Sequence, residues 1–130
     1  MLYNPNWEKE NEPAWRRQLR EAADLIDDYG LAKGVREDDE GRFCLHGALA
    51  ITVAGDISDN RIHCTSVAAK QLYTWLLMHD RSGISIACTH PSWAPGPFYG
   101  MANWNNHPAT TKEDVVGALR AAAEMEELVC

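Results

Sequence analysis

Cys44 is the residue with the most reactive side chain in a suggestive place. It sits where a strand-like piece, residues 42–45, gives way to a run of small apolar residues, 44–54, that reads as a buried helix. A thiol at a helix N-terminus has its pKa lowered by the helix dipole, which favours the nucleophilic thiolate. Cysteine enzymes of the papain type use that placement, with a His base and an Asn or Asp orienter arriving later in the chain. Here His107 can serve as base and Asn106 or Asn105 as orienter. The competing reading is a buried structural cysteine, because free Cys is among the most buried residue types and Phe43 and Leu45 flank this one.

Three Cys/His pairs raise a second chemistry: Cys44 with His46, His63 with Cys64, and Cys88 with His90. Zn²⁺ takes such ligands, but structural sites favour pairs two to four residues apart, as in C-x₂-C. Adjacent and one-gap pairs chelate a single ion poorly. A zinc-supported module is therefore the third alternative, and no metal or other cofactor is expected. Glycine-rich phosphate loops, dinucleotide fingerprints and the G-x-S-x-G elbow are absent from the sequence.

A third group suits recognition rather than catalysis. The stretch 91–100 carries three prolines, two glycines, and Trp93, Phe98 and Tyr99. Prolines stiffen a segment, so less freedom is lost on binding, and aromatic residues that face outward dominate interface hot spots, whereas facing inward they would fasten the stretch to the core. Trp104-Asn105-Asn106-His107-Pro108 follows and reads as a turn before the last helix that Trp104 anchors to the core, the functional alternative being that Trp104 and Asn105 form a polar rim beside the same stretch.

These residues are positioned by four expected helices. Trp15, Leu19, Ala22, Ile26 and Tyr29 recur at steps of four, three, four and three, the apolar face of an amphipathic helix. Asn11 is its expected cap, Glu12 and Pro13 fill its first turn, and Gly30 supplies a left-handed C-cap. Residues 31–35 and 42–45, joined by Asp38-Asp39-Glu40-Gly41, suggest a small β-hairpin. Residues 44–54 form the second helix, stopped by Gly55. Residues 56–63 read as a polar loop. Thr65 or Ser66 caps a third helix to about Asp80, with Ala68, Leu72, Trp75, Leu76 and His79 on one face. Residues 82–100 read as a long loop with a short strand at 84–88. Thr110-Thr111-Lys112-Glu113 is a capping box for a last helix buried through Val115, Val116, Leu119, Ala122 and Ala123. The expectation is a mainly α, compact bundle of about four helices with a possible small hairpin. It comprises one globular domain over 11–130 and a flexible arm over 1–10.

Charge divides the chain. Residues 1–42 hold eleven acids against seven bases, residues 109–130 five against two, and residues 43–108 three of each, for a net charge of −7. The neutral middle contains all five histidines and three of the four cysteines. Acidic flanks disfavour contact with a nucleic-acid backbone, which needs clustered Lys and Arg. No apolar run is long enough for a membrane span, and the N-terminus lacks the pattern of a secretory signal. The cysteines are accordingly expected as free thiols in a reducing, cytoplasmic setting.

Three stretches together carry a family resemblance. They are Leu25-Ile26-Asp27-Asp28-Tyr29-Gly30, then Asp39-Glu40-Gly41-Arg42-Phe43-Cys44-Leu45-His46-Gly47-Ala48-Leu49, then Trp104-Asn105-Asn106-His107-Pro108 followed by Thr111-Lys112-Glu113-Asp114-Val115 and an Ala-rich helix. The chain resembles the DUF6197 family of small uncharacterised bacterial and phage proteins. Its pattern is a helix ending in Gly, a D-x-x-G-R-x-C-x-x-G-A-L segment, and a W-N-D-x-P-x-x-T-x-x-E-V segment leading into a last helix. Asn106 stands where the pattern most often has Asp. The resemblance implies the helical architecture and a phage or mobile-element origin, and brings no activity. The leading functional expectation is a small accessory or regulatory protein that binds another protein. The alternative is a cysteine enzyme built on Cys44 and His107.

Overall fold

The computed structural model describes residues 12–79 and 96–127. The expected N-terminal arm, the Asn11 cap, the strand at 84–88 and Trp93 lie outside the described residues. Among the described residues six helices follow in order: α1 (Ala14–Tyr29), α2 (Leu45–Ala54), the single-turn α3 (Ile62–Thr65), α4 (Val67–His79), α5 (Gly96–Asn106) and α6 (Lys112–Glu124). None of them is long and apolar enough to cross a membrane.

The amphipathic face of α1 is buried as its spacing dictates. Trp15, Leu19, Ala22, Ala23 and Ile26 face inward, against α6 and α2. Burying one Leu- or Ile-sized side chain stabilises by roughly 1.5–3 kcal/mol. Pro13 occupies the N-cap position, without a side-chain cap. Gly30 ends the helix with φ +103° and ψ 168°, a positive-φ conformation outside the expected left-handed helical region. A Cβ on Gly30 would lie 2.9 Å from Cγ of Arg42, so the side-chain stem of Arg42 occupies the space that glycine leaves.

The hairpin is not formed. Among the described residues no strand develops; Phe43 instead makes two single bridges, parallel to Leu31 and antiparallel to Glu37. The N–H of Phe43 donates to the Gly30 carbonyl and its own carbonyl accepts from Ala32 N–H. On the opposite edge the Arg42 carbonyl accepts from Asp38 N–H, and Cys44 N–H donates to the Arg36 carbonyl. Gly34, with φ +81°, bends residues 31–37 around both edges, so no two-stranded ladder can propagate. The turn signal itself is real. Asp38 Oδ1 accepts the backbone N–H groups of Glu40 and Arg42, and its Oδ2 pairs with Arg42 Nε at 2.6 Å. These donors, the Arg42 N–H foremost, hold the Asp38 carboxyl below its ordinary value.

The helix α2 runs through the centre of the molecule, with Leu45 to Ala50 all buried. Its small residues admit α1, α3 and α5 as neighbours. Residues 56–63 are not wholly loop: Ile62 and His63 enter the core on α3. Asp59 Oδ1 caps that turn by accepting from Arg61 and Ile62 N–H. Ser66 caps α4 by accepting Ala69 N–H at 3.1 Å. Ala68, Leu72 and Leu76 are buried as expected, whereas Trp75 is half-buried and stacks on the exposed His79.

Two boundaries differ from expectation. Residues 96–100 are the first turns of α5, because a proline in the first turn sacrifices no helical hydrogen bond. Trp104, Asn105 and Asn106 are therefore the end of a helix rather than an isolated turn. The last capping box is Thr111 with Asp114, one residue beyond the expected pair. Thr111 Oγ1 accepts Asp114 N–H at 3.1 Å and Asp114 Oδ2 accepts Thr111 N–H at 2.9 Å. One continuous cluster contains Leu19, Ile26, Leu49, Leu72, Met101, Trp104 and Leu119.

Candidate functional site

A small pocket of about 160 Å³ opens beside the N-terminus of α2, lined by Gly34, Val35, Arg36, Cys44, His46, Ala102, Asn105 and Asn106. It brings together Cys44, Asn105 and Asn106 from the sequence-derived set. His107 lies outside this lining. Its ring is exposed, with Nδ1 accepting from Ala109 N–H at 3.0 Å. Trp104 is buried in the core, 7 % exposed. The side chains of Phe98 and Tyr99 lie outside the described residues, as does Trp93.

Cys44, Asn105 and Asn106 each have a local hydrogen-bonding assignment at this pocket. Cys44 is the N-cap of α2, and its Sγ accepts Gly47 N–H at 3.3 Å. The helix terminus was expected to lower its pKa. Burial outweighs that effect, and the thiol is pushed above its ordinary value despite the Gly47 hydrogen bond and the Arg36 charge. Asn105 is 2 % exposed and joins two segments at once. Its Oδ1 accepts Leu45 N–H at 3.0 Å, while its Nδ2 donates to the Ala32 carbonyl at 3.0 Å. Asn106 Oδ1 accepts Gly34 N–H at 2.8 Å. A deprotonated Asp at this position would offer the same acceptor oxygen.

Arg36 was not singled out by the sequence, and it organises this region. Its guanidinium donates to the carbonyls of Ile57 and Asp59 at 2.6 and 2.9 Å, and to Asn60 Oδ1. Its own carbonyl receives Cys44 N–H. A Cβ on Gly47 would sit 2.4 Å from that carbonyl oxygen, so only glycine lets α2 approach. No local sequence signal distinguishes Arg36 from the other basic residues; its role depends on the fold bringing residues 57–60 to it.

Behind the pocket, one member from each of two separate Cys/His pairs meets the other. The rings of His46 and His63 stack with centroids 4.0 Å apart and planes 26° from parallel, and both are buried. Burial and the nearby Arg36 charge lower the His63 pKa to about 4, so its imidazole is neutral at neutral pH. Among the described residues, no three His, Cys, Asp or Glu side chains are grouped to hold a metal ion. The Cys64 side chain, Cys88 and His90 lie outside the described residues.

A wider cleft of about 610 Å³ runs between α1 and α6, lined by Glu12, Arg17, Arg20, Glu21, Asp24, Arg120 and Glu124. Its charges are mixed and mutually paired: Arg120 meets Asp24 and Asp27 at 3.2 Å, and Arg20 meets Glu124 at 3.5 Å. Such exposed pairs leave little unbalanced field to concentrate a charged ligand.

The model of a family of unknown function, DUF6197, matches residues 11–125, and the chain belongs to that family. No curated protein and no solved structure matches it.

Proposed function

We propose that this DUF6197 member is a non-enzymatic accessory or regulatory protein that acts by binding another protein, in the cytoplasm of a bacterial host and encoded by a phage or mobile element. The origin rests on the family resemblance. The binding role is supported by the end of α4, where adjacent Leu77 and Met78 are 52 % and 62 % exposed. Neighbouring exposed apolar side chains of this size suit an interface better than a solvated helix end. In the sequence, the Pro- and aromatic-rich stretch that contains Trp93 comes after this helix. Meanwhile Asn105 is committed to holding segments together and the protonated Cys44 to capping α2, which supports a role without catalysis.

The test is site-specific photocross-linking in cells, with the cross-linker at Met78 and, as a control, at exposed Glu113 on α6. The expected result is a discrete adduct from position 78 that is lost when Leu77→Glu is added at unchanged melting temperature. Equal, diffuse labelling from both positions would defeat the reading. Trp93→Ala with Tyr99→Ala should likewise abolish the adduct without unfolding the protein.

A second reading, a cysteine-dependent enzyme with Cys44 as nucleophile, retains one supporting observation: Cys44, Asn105 and Asn106 line the same pocket. Its base would have to be other than a directly hydrogen-bonded His107, whose Nδ1 is engaged by Ala109. Thiol reactivity separates the two readings.

A further inference from the structure

We draw no further inference here: the strongest candidate, the small pocket beside the N-terminus of α2 that Arg36, Cys44, His46 and Asn105 line, belongs to the site already described, and beyond its lone thiol nothing in the structure shows what would occupy it.

Discussion

The side-chain oxygen of Asn105 accepts the backbone N–H of Leu45, sixty residues earlier in the chain, at 3.0 Å. This bond satisfies one of the amide groups that the first turn of α2 leaves without a helical partner. The other end of the same side chain holds the Ala32 carbonyl. One buried amide thus fastens α5 to both the start of α2 and the segment before it.

Asn105→Leu should therefore cost about 2–6 kcal/mol, since it leaves a buried donor and a buried acceptor unpaired at roughly 1–3 kcal/mol each. Asn106→Asp should be close to neutral, because the carboxylate keeps the acceptor for Gly34. Urea denaturation of both variants checks the pair. Equal stability of Asn105→Leu and the parent protein would contradict the fastening role.

Two glycine substitutions should move stability in opposite directions. Gly47→Ala forces a methyl against the Arg36 carbonyl and should destabilise by about 1–3 kcal/mol. Gly117, exposed inside α6, has nothing within 4 Å of its ideal Cβ position. Gly117→Ala should stabilise by roughly 0.5–1 kcal/mol through helix propensity. Thermal melts of the two variants provide the comparison.

Acid should weaken the fold through His63. Its folded pKa of about 4 lies below the ordinary 6.5, so between these values the unfolded chain binds more protons than the native one. Stability from this group is complete above about pH 6.5, declines as pH falls toward 4, and changes little below that. The loss should be on the order of 3 kcal/mol. His63→Gln should flatten the slope between pH 6.5 and 4, whereas His79→Gln, at an exposed site, should leave it in place. A parallel slope in His63→Gln would assign the titration elsewhere.

The Cys44 thiol should react slowly. It is 8 % exposed, protonated at neutral pH and engaged by Gly47. Native protein treated with a thiol reagent should label Cys44 only over long times, while denatured protein exposes all four cysteines. Cys44→Ala should lower stability by about 0.5–2 kcal/mol through loss of the cap, with Cys44→Ser retaining most of it. Rapid selective labelling at Cys44 near pH 7 would favour the cysteine-enzyme reading instead.

The elements legible in the sequence are those whose signals are local. The 3.6-residue spacing of Trp15, Leu19, Ala22 and Ile26 marks α1, and Gly55 marks the end of α2 at φ 70°. The sequence suggests a hairpin because two apolar pieces around a turn look alike whether they pair with each other or wrap a single residue. Only Gly34 hinted at the bend. The start of α5 was hidden by Gly96, Pro97 and Gly100, which count as helix breakers except at a first turn or where close packing favours glycine; Gly100 is buried. At the pocket, Cys44 and Asn105 stood out by residue type. Arg36 and the His46–His63 stack did not, because their partners lie 21 to 24 and 17 residues away, and nothing in their immediate flanks signals the meeting. The D-x-x-G-R-x-C-x-x-G pattern acquires a physical meaning here: Asp38 builds the turn, Arg42 packs on Gly30, Cys44 caps α2 and Gly47 admits Arg36.

The docking of α1 on α6 also sets an order of events during synthesis. Arg16 near the start of α1 donates to the carbonyls of Ala123 and Met125 at 2.6 and 2.8 Å, and Trp15 Nε1 reaches Glu127 at 2.6 Å. The part of the apolar face of α1 that α6 covers, beyond the part that packs on α2, thus stays open on the ribosome until nearly the whole described chain has emerged. Translation arrested before α6 leaves a nascent chain whose first helix is only partly covered, a substrate for chaperones and proteases rather than a smaller working protein.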